Sequence, residues 1–284
     1  MILVTGATGK VGSAVVEELQ STGQPFKAMV RSKDKAEALN QSGVETVIAD
    51  FTNPESCRQA LSNIDKVFLL APPAINMAEL EKNFIDACKT TGVKHIVNIS
   101  AVGTSKDSSL NLGQWHYQTE EYLTQSGIPY TIIRPHSFMQ NILANIGSVK
   151  AQSTIYSSLA DAAVPLVDAR DVGAVAARVL TEDGHAGRIY TITGGAKVTQ
   201  NDVAAVLGNT IGKGVKYIPV PDEAAHQAMT GMGLPDWLAD DLVGMAAMHR
   251  AGHGTEIDAT GEKILGRPMR TIDDFIQDHA FLFS

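Results

Sequence analysis

The sequence predicts an α/β protein: a doubly wound parallel sheet with a smaller, mainly helical C-terminal lobe. Residues 2–12 read ILVTGATGKVG, a short apolar run that breaks into glycines at Gly6, Gly9 and Gly12. Beyond it, short β-branched runs alternate with helix-length amphipathic segments as far as about Arg134, the pattern of a parallel sheet with helical crossovers. From about Pro135 that rhythm gives way to a stretch that is mostly helical.

Ile2, Leu3 and Val4 read as a buried strand, and Val11, Val15, Val16 and Leu19 follow at helical spacing. Further strands are expected over residues 26–30, 44–49, 67–71, 96–100 and 130–134. Helices are expected over 33–41, 54–62, 77–91 and 117–125, with Pro54 at a helix start and Gly92 and Gly127 just past helix ends. A helix over 171–181 and a strand over 189–192 are expected to rejoin the sheet. Helices over 200–211, 222–232, 237–251, 259–265 and 272–281 complete the chain. In the last lobe Met229, Met232, Trp237, Met245 and Met248 stand at helical spacing and read as core. The domain reading is a dinucleotide-binding unit over 1–150, rejoined by 168–193, and a smaller substrate lobe over 151–284.

A chain of 284 residues with 44% hydrophobic and 19% charged residues has the profile of a globular protein. A net charge of −8 argues against a general affinity for nucleic acid or an anionic membrane. No run of about 18 apolar residues is present to span a bilayer. The chain opens on a strand, which leaves no room for a signal peptide, so the expected location is cytoplasmic. Cys57 and Cys88 form no C-x-x-C and read as packed thiols in a reducing compartment. The expected assembly is a monomer or homodimer.

The glycine turn makes a nucleotide cofactor the leading ligand. Its spacing is G-x-x-G-x-x-G rather than G-x-G-x-x-G, and it lies between a strand and a helix start, where backbone N–H groups and the helix dipole favour a pyrophosphate. Gly6, Thr8, Gly9, Lys10, Val11 and Gly12 are therefore the expected phosphate-binding residues. A side chain at Gly9 or Gly12 is expected to block the cofactor while leaving the fold largely intact. At the end of the second strand an acid would select NAD, and a basic residue accommodates the 2′-phosphate of NADP. The residue there is Arg31, with Ser32, Lys33 and Lys35 behind it. This favours NADP(H) over NAD(H); Lys33 and Lys35 also suit a solvated helix start. Asp50 and Phe51 end the third strand, where a carboxylate would meet the adenine amino group. Leu70, Ala71, Pro72 and Pro73 after the fourth strand and Pro135 at the sixth are expected to line the cofactor.

With these pieces in place the chain resembles an atypical short-chain dehydrogenase of the NmrA-like group. The resemblance is carried by VTGATGKVG at 4–12, VR at 30–31, AD at 49–50, GVKHIVNIS at 92–100, HYQTEEYL at 116–123, GIPYTIIRP at 127–135, FMQN at 138–141 and DARDVGAVAARVL at 168–180. It implies a nicotinamide-dependent reductase similar to bacterial NAD(P)H:quinone oxidoreductases and triphenylmethane dye reductases. The departure is catalytic. Typical short-chain dehydrogenases carry Tyr-x-x-x-Lys, whereas here Leu112 stands in the tyrosine place and His116 in the lysine place.

That departure selects among acceptors. Hydride delivery to a simple ketone makes an alkoxide, with a basicity approaching that of hydroxide (water pKa about 15.7), and needs a positioned acid. A quinone gives a phenolate, stable near the phenol pKa of about 10, and water can protonate it. A cationic dye needs no proton. The expected acceptor is a quinone-like or other electron-poor aromatic small molecule. His116 is a candidate proton relay or a helix-start residue, and Ser100 a candidate hydrogen-bond donor to the nicotinamide ribose or the acceptor; both are the catalytic candidates. His136, Phe138, Met139 and Asn141, with Ser137, are the candidate substrate wall. Thr119 and Glu120 read as structural. His249 and His253 have the i, i+4 spacing of a metal pair but lack the H-E-x-x-H carboxylate, and no metal is expected. Two rival readings stay open: a redox sensor that binds NADP(H) without turnover, which the missing tyrosine and lysine fit equally well, and, ranked below it, a sugar-nucleotide epimerase.

Overall fold

The computed structural model describes residues 1–284. The chain begins with β1 (Ile2–Val4), α1 (Lys10–Ser21), β2 (Phe26–Val30), α2 (Lys33–Gln41), β3 (Thr46–Ile48), α3 (Pro54–Ala60) and β4 (Lys66–Leu69). It continues with α4 (Met77–Thr91), β5 (His95–Ile99), α5 (Asn111–Gln125) and β6 (Tyr130–Pro135). A 3₁₀ segment over Met139–Asn145 then leads into α6 (Ile146–Gln152), β7 (Thr154–Ser157), α7 (Ala169–Thr181) and β8 (Arg188–Ile192). The last elements are α8 (Gln200–Ile211), β9 (Lys216–Pro219), α9 (Asp222–Gly231), α10 (Asp236–Arg250), α11 (Thr260–Leu265) and α12 (Ile272–His279).

Seven strands form one sheet in the order β3-β2-β1-β4-β5-β6-β8, and every neighbouring pair runs parallel. This is a Rossmann-like α/β fold. Strand alternation sends Leu3, Met29, Val67, Leu69, Ile96 and Ile132 to the face covered by α3, α4 and α5. Ile2, Val4, Phe68, Val97, Ile99 and Ile133 go to the face covered by α1 and α7. Burial on both faces explains why these strands read as continuous apolar runs. The helices α1 and α7 cross closely because Gly173 sits over Ala14: a Cβ at Gly173 would lie 2.4 Å from the Ala14 Cβ. A third core joins Ile142, Val149, Ile155, Leu207, Phe275 and Phe283 beside a two-stranded parallel sheet of β7 and β9.

Three differences from the sequence reading have physical causes. The strands β7 and β9 were not expected; each is four residues long and the β9 strand buries none of its residues, so neither shows a periodic signal. Helix α5 starts at Asn111 rather than residue 117, because its cap comes from a distant part of the chain. Leu110 offers no side-chain cap, and the Asp241 carboxylate of α10 accepts from the Asn111 and Leu112 N–H groups at 2.9 and 2.7 Å. The methionine-rich stretch is not core: α9 buries no residue, Met232 is 61% exposed, and Trp237, Met245 and Met248 are half-buried. Helix α9 packs chiefly on α10.

The 168–180 segment locks the C-terminus onto the sheet domain. Asp168 caps α7 and is held by Gln140 and Arg170, while fully buried Asp171 accepts from the Arg267 and Arg270 guanidinium groups and from the Arg270 N–H. The Asp241 cap plays the corresponding part for α5. Asp241→Ala is expected to cost about 1–3 kcal/mol, because it removes a buried cap with three hydrogen bonds, and to lower Tm by several degrees in thermal unfolding. An unchanged Tm would show that α5 does not need this tie.

Candidate functional site

The connection from β3 crosses back to β4 on the other side of β1, which opens a crevice at the carboxyl ends of β1 and β4. The two ends are fastened together. Thr5 Oγ1 donates to the Phe68 carbonyl at 3.0 Å and accepts the Leu70 N–H at 2.8 Å. Gly6 follows at φ +61°, and a Cβ there would lie 2.9 Å from the Leu70 carbonyl oxygen, so the turn requires glycine. A Cβ on Gly12 would lie 2.1 Å from the Gly6 carbonyl oxygen, and one on Gly9 3.2 Å from it.

The N-terminus of α1 is prepared for an anion. Gly9 caps it without a side-chain hydrogen bond and no acidic residue stands in its first turn. By contrast α2, α3, α7, α8 and α12 each carry a side-chain cap and an acidic first-turn residue. The free N–H groups and the dipole of α1 thus face Thr8, Gly9 and Lys10, which are exposed. These residues fit a dinucleotide pyrophosphate.

Cations surround this turn. Lys10 Nζ donates to Asn141 Oδ1 at 3.1 Å, and partial burial lowers its pKa. Arg31 is exposed at the end of β2 and has no carboxylate hydrogen-bonded to it; the pKa of Asp50 is lowered chiefly by hydrogen bonds from Thr52 and, to a smaller extent, by the Arg31 charge. Lys35, which in sequence suits a solvated charge at a helix start, reaches Thr8 Oγ1 with its Nζ at 3.5 Å. The Ser32 hydroxyl caps α2 by accepting from the Lys35 N–H. Only the fold brings α2 against the glycine turn, so no local signal marks Lys35.

The other expected cofactor residues fall at the same edge of the sheet. Asp50 Oδ1 accepts from the Thr52 N–H and hydroxyl at 2.8 and 2.7 Å. The Phe51 ring is buried against Phe84, with centroids 5.0 Å apart. Leu70 is half-buried, Ala71 buried and Pro72 exposed; Pro135 is buried at the end of β6. Val11 points its side chain into the core beneath the turn.

Ser100, directly after β5, is buried and its Oγ lies 3.0 Å from Thr104 Oγ1, which in turn donates to the Ala101 carbonyl. His116 is not at a helix start: it lies mid-way along α5, buried, with Nδ1 unpartnered. Burial brings its pKa down to about 4, so the ring is neutral at neutral pH. Glu120 is paired bidentately with Arg134 at 2.8 and 2.5 Å, a structural tie between α5 and β6.

The wall after β6 is more rigid than its sequence suggests. His136 is buried; its Nδ1 accepts the Ser137 N–H at 2.7 Å, so Nε2 carries the proton and donates to the Gly254 carbonyl at 2.5 Å. The His249 ring stacks on it at 5.1 Å, and His249 Nδ1 is 3.1 Å from the His253 carbonyl. These histidines fasten the loop after α10 to the end of β6, a long-range contact the sequence does not mark. Phe138 is half-buried, Met139 is buried in the third core, and Asn141 is exposed beside Lys10. No helix is long and apolar enough to cross a membrane.

Comparison with known proteins gives this geometry a family. A sequence model of the NmrA-like family matches residues 1–275. The chain belongs to the NmrA-like family. It is 38% identical to an NAD(P)H azoreductase of Xenophilus azovorans, covering 100% of this chain and 99% of the relative. Its fold matches the NADPH-dependent quinone oxidoreductase QOR2 of Escherichia coli in complex with NADPH, with a TM-score of 0.88, 32% identity, and 99% and 100% of the two chains covered. It also matches the Citrobacter sp. triphenylmethane reductase in complex with NADP(H), with a TM-score of 0.86, 26% identity, and 98% and 99% covered. Leu112, expected from the sequence in the tyrosine place, is half-buried on α5 and packs beside the core.

Proposed function

We propose that this NmrA-like protein is an NADPH-dependent reductase that passes hydride to a quinone-like or other electron-poor aromatic acceptor. The observation that carries the proposal is a helix N-terminus with no side-chain cap and no first-turn acid, flanked by Lys10 and Lys35 with Arg31 at the end of the neighbouring strand β2, in a fold whose His116 is held neutral by burial. The azoreductase and quinone oxidoreductase names of the relatives point the same way.

In this reading the first turn of α1 and Lys10 bind the pyrophosphate, and Arg31 binds the 2′-phosphate. Leu70, Ala71 and Pro72 form the wall on the β4 side. The bound dinucleotide supplies the hydride; the protein supplies placement. Ser100 orients the ribose or the acceptor oxygen. Half-buried Phe138 and Met245, whose sulfur lies 3.7 Å from Ser137 Oγ, give the acceptor a flat, polarizable surface. Neutral His116 holds the site dry and donates no proton of consequence.

The cofactor assignment is tested with Arg31→Ala. A charge-assisted hydrogen bond contributes about 1.5–3 kcal/mol, so NADPH binding should weaken by about ten-fold or more while NADH binding changes little. Equal losses for the two cofactors in a fluorescence titration would contradict the role of Arg31.

A further inference from the structure

Four buried side-chain polar atoms on α4, β5 and α5 have no hydrogen-bond partner. Glu81 of α4 is fully buried, as are Asn98 of β5 and Thr119 of α5. Glu81 Oε1 accepts the Ala71 N–H at 3.0 Å. Its other oxygen, Glu81 Oε2, has no partner, and neither do Thr119 Oγ1, Asn98 Oδ1 and His116 Nδ1. Thr119 is the side chain near enough to bear on the Glu81 carboxyl. Buried polar atoms without partners cost about 1–3 kcal/mol each, so this arrangement calls for an explanation.

Resting on the cofactor reading above, we infer that Glu81 is a positioning residue: as a neutral acid it bolts the Ala71–Pro72 wall of the cofactor crevice to helix α5. Oε1 holds the Ala71 N–H, and a proton on Oε2 donates to the Thr119 hydroxyl. That contact satisfies two of the unpartnered atoms and joins the two walls of the crevice, the β4–α4 turn and the helix that carries His116; an ionised Glu81 would accept from the same hydroxyl, so it is burial that selects the neutral acid.

The surroundings favour the neutral form. No cation faces Glu81 from the elements packed on α4. Glu120 of α5 is turned to Arg134, Lys66 of β4 to the Leu180 carbonyl, and His95 of β5 to Thr131. In α3, Arg58 pairs with Glu55, and Cys57 faces the Asp50 carbonyl. His116 is neutral. Burial raises the Glu81 carboxyl from 4.5 to about 7, opposed by the Ala71 N–H and Thr119. Its folded pKa therefore lies above its unfolded one. The stability it contributes is complete below the unfolded pKa and is lost as the pH rises through about 7. Above that, an uncompensated charge sits behind a wall meant for an anionic cofactor.

The test compares wild type, Glu81→Gln and Glu81→Ala from pH 6 to 8.5. It uses NADPH titration, thermal unfolding of the cofactor-free protein and amide exchange at Ala71. Wild type is expected to lose NADPH affinity by about three-fold or more and to lose Tm across this range, as the carboxyl ionises. Glu81→Gln keeps an acceptor for Ala71 and a donor for Thr119; it should match the wild-type NADPH affinity at pH 6, and its affinity and its Tm should lack the wild-type decline to pH 8.5, with the Ala71 amide protected. Glu81→Ala should weaken NADPH by about ten-fold at every pH, with kcat within about three-fold, and expose the Ala71 amide to exchange. A Gln variant that follows the wild-type pH dependence, or an Ala variant that binds NADPH like wild type, would overturn the inference. If wild type itself bound no NADPH, the cofactor reading would fall. Exchange at Ala71 and the unfolding profiles, measured without cofactor, would still uphold or overturn the Glu81 bolt.

Discussion

Gly12→Val is expected to abolish NADPH binding, with a loss of about 100-fold or more, and to lower Tm at the same time. The reason is backbone contact. The first added carbon would lie 2.1 Å from the Gly6 carbonyl oxygen, 2.6 Å from its carbon and 3.0 Å from the Ala7 nitrogen. None of these atoms belongs to a flexible side chain, so α1 must move away from the turn, and the crossing of Ala14 on Gly173 moves with it. The expectation of an intact fold therefore fails for Gly12. At exposed Gly9 the nearest atom would be the Gly6 carbonyl oxygen at 3.2 Å, a milder crowding, so a valine there should lower Tm less and chiefly occupy the phosphate position. NADPH titration and thermal unfolding of both variants separate the two cases. Wild-type affinity in Gly12→Val would contradict the placement of the cofactor on this turn.

The second large effect concerns the acceptor. Simple ketones should be reduced at least about 10³-fold less efficiently than quinones, because the alkoxide they form needs a general acid contributing about 10²–10⁴-fold. Leu112 cannot supply a proton, and His116 is neutral above about pH 4, as burial disfavours its charged form. His116→Ala should accordingly reduce quinone turnover by about ten-fold or less, and no inflection near the ordinary histidine pKa of about 6.5 should disappear with it. Kinetics of wild type and His116→Ala on one quinone and one ketone check both parts. Ketone reduction that depends on His116 would reveal a replacement acid.

Much of this architecture was legible because its signals are local. The bounds of α2, α4 and α8 agree with those read from the sequence, and Gly92, expected just past a helix end, terminates α4 in the left-handed conformation. The glycine turn announced itself through spacing between a strand and a helix. What was hidden depends on contacts distant in sequence. The start of α5 at Asn111 and Leu112 is capped by Asp241, 130 positions from Asn111, and Lys35 meets Thr8 only after β2 pairs with β1. The methionines of α9 and α10 carry helical spacing, but one face of that hairpin packs on little, so periodicity overstated its burial. Glu81 shows the limit most sharply. In sequence it is one of several charges on an amphipathic helix, and only the fold shows that its carboxyl is sealed beneath Ala71.

The central claim is that the site passes hydride from NADPH to a flat acceptor without a protein acid. Steady-state NADPH oxidation by the purified protein over a panel of quinones and azo or triphenylmethane dyes tests it most directly. The account predicts turnover that depends on the acceptor, saturates with NADPH and is lost in Gly12→Val. Tight NADPH binding with no acceptor-dependent oxidation across the panel would contradict it, and would make the protein a dinucleotide sensor instead.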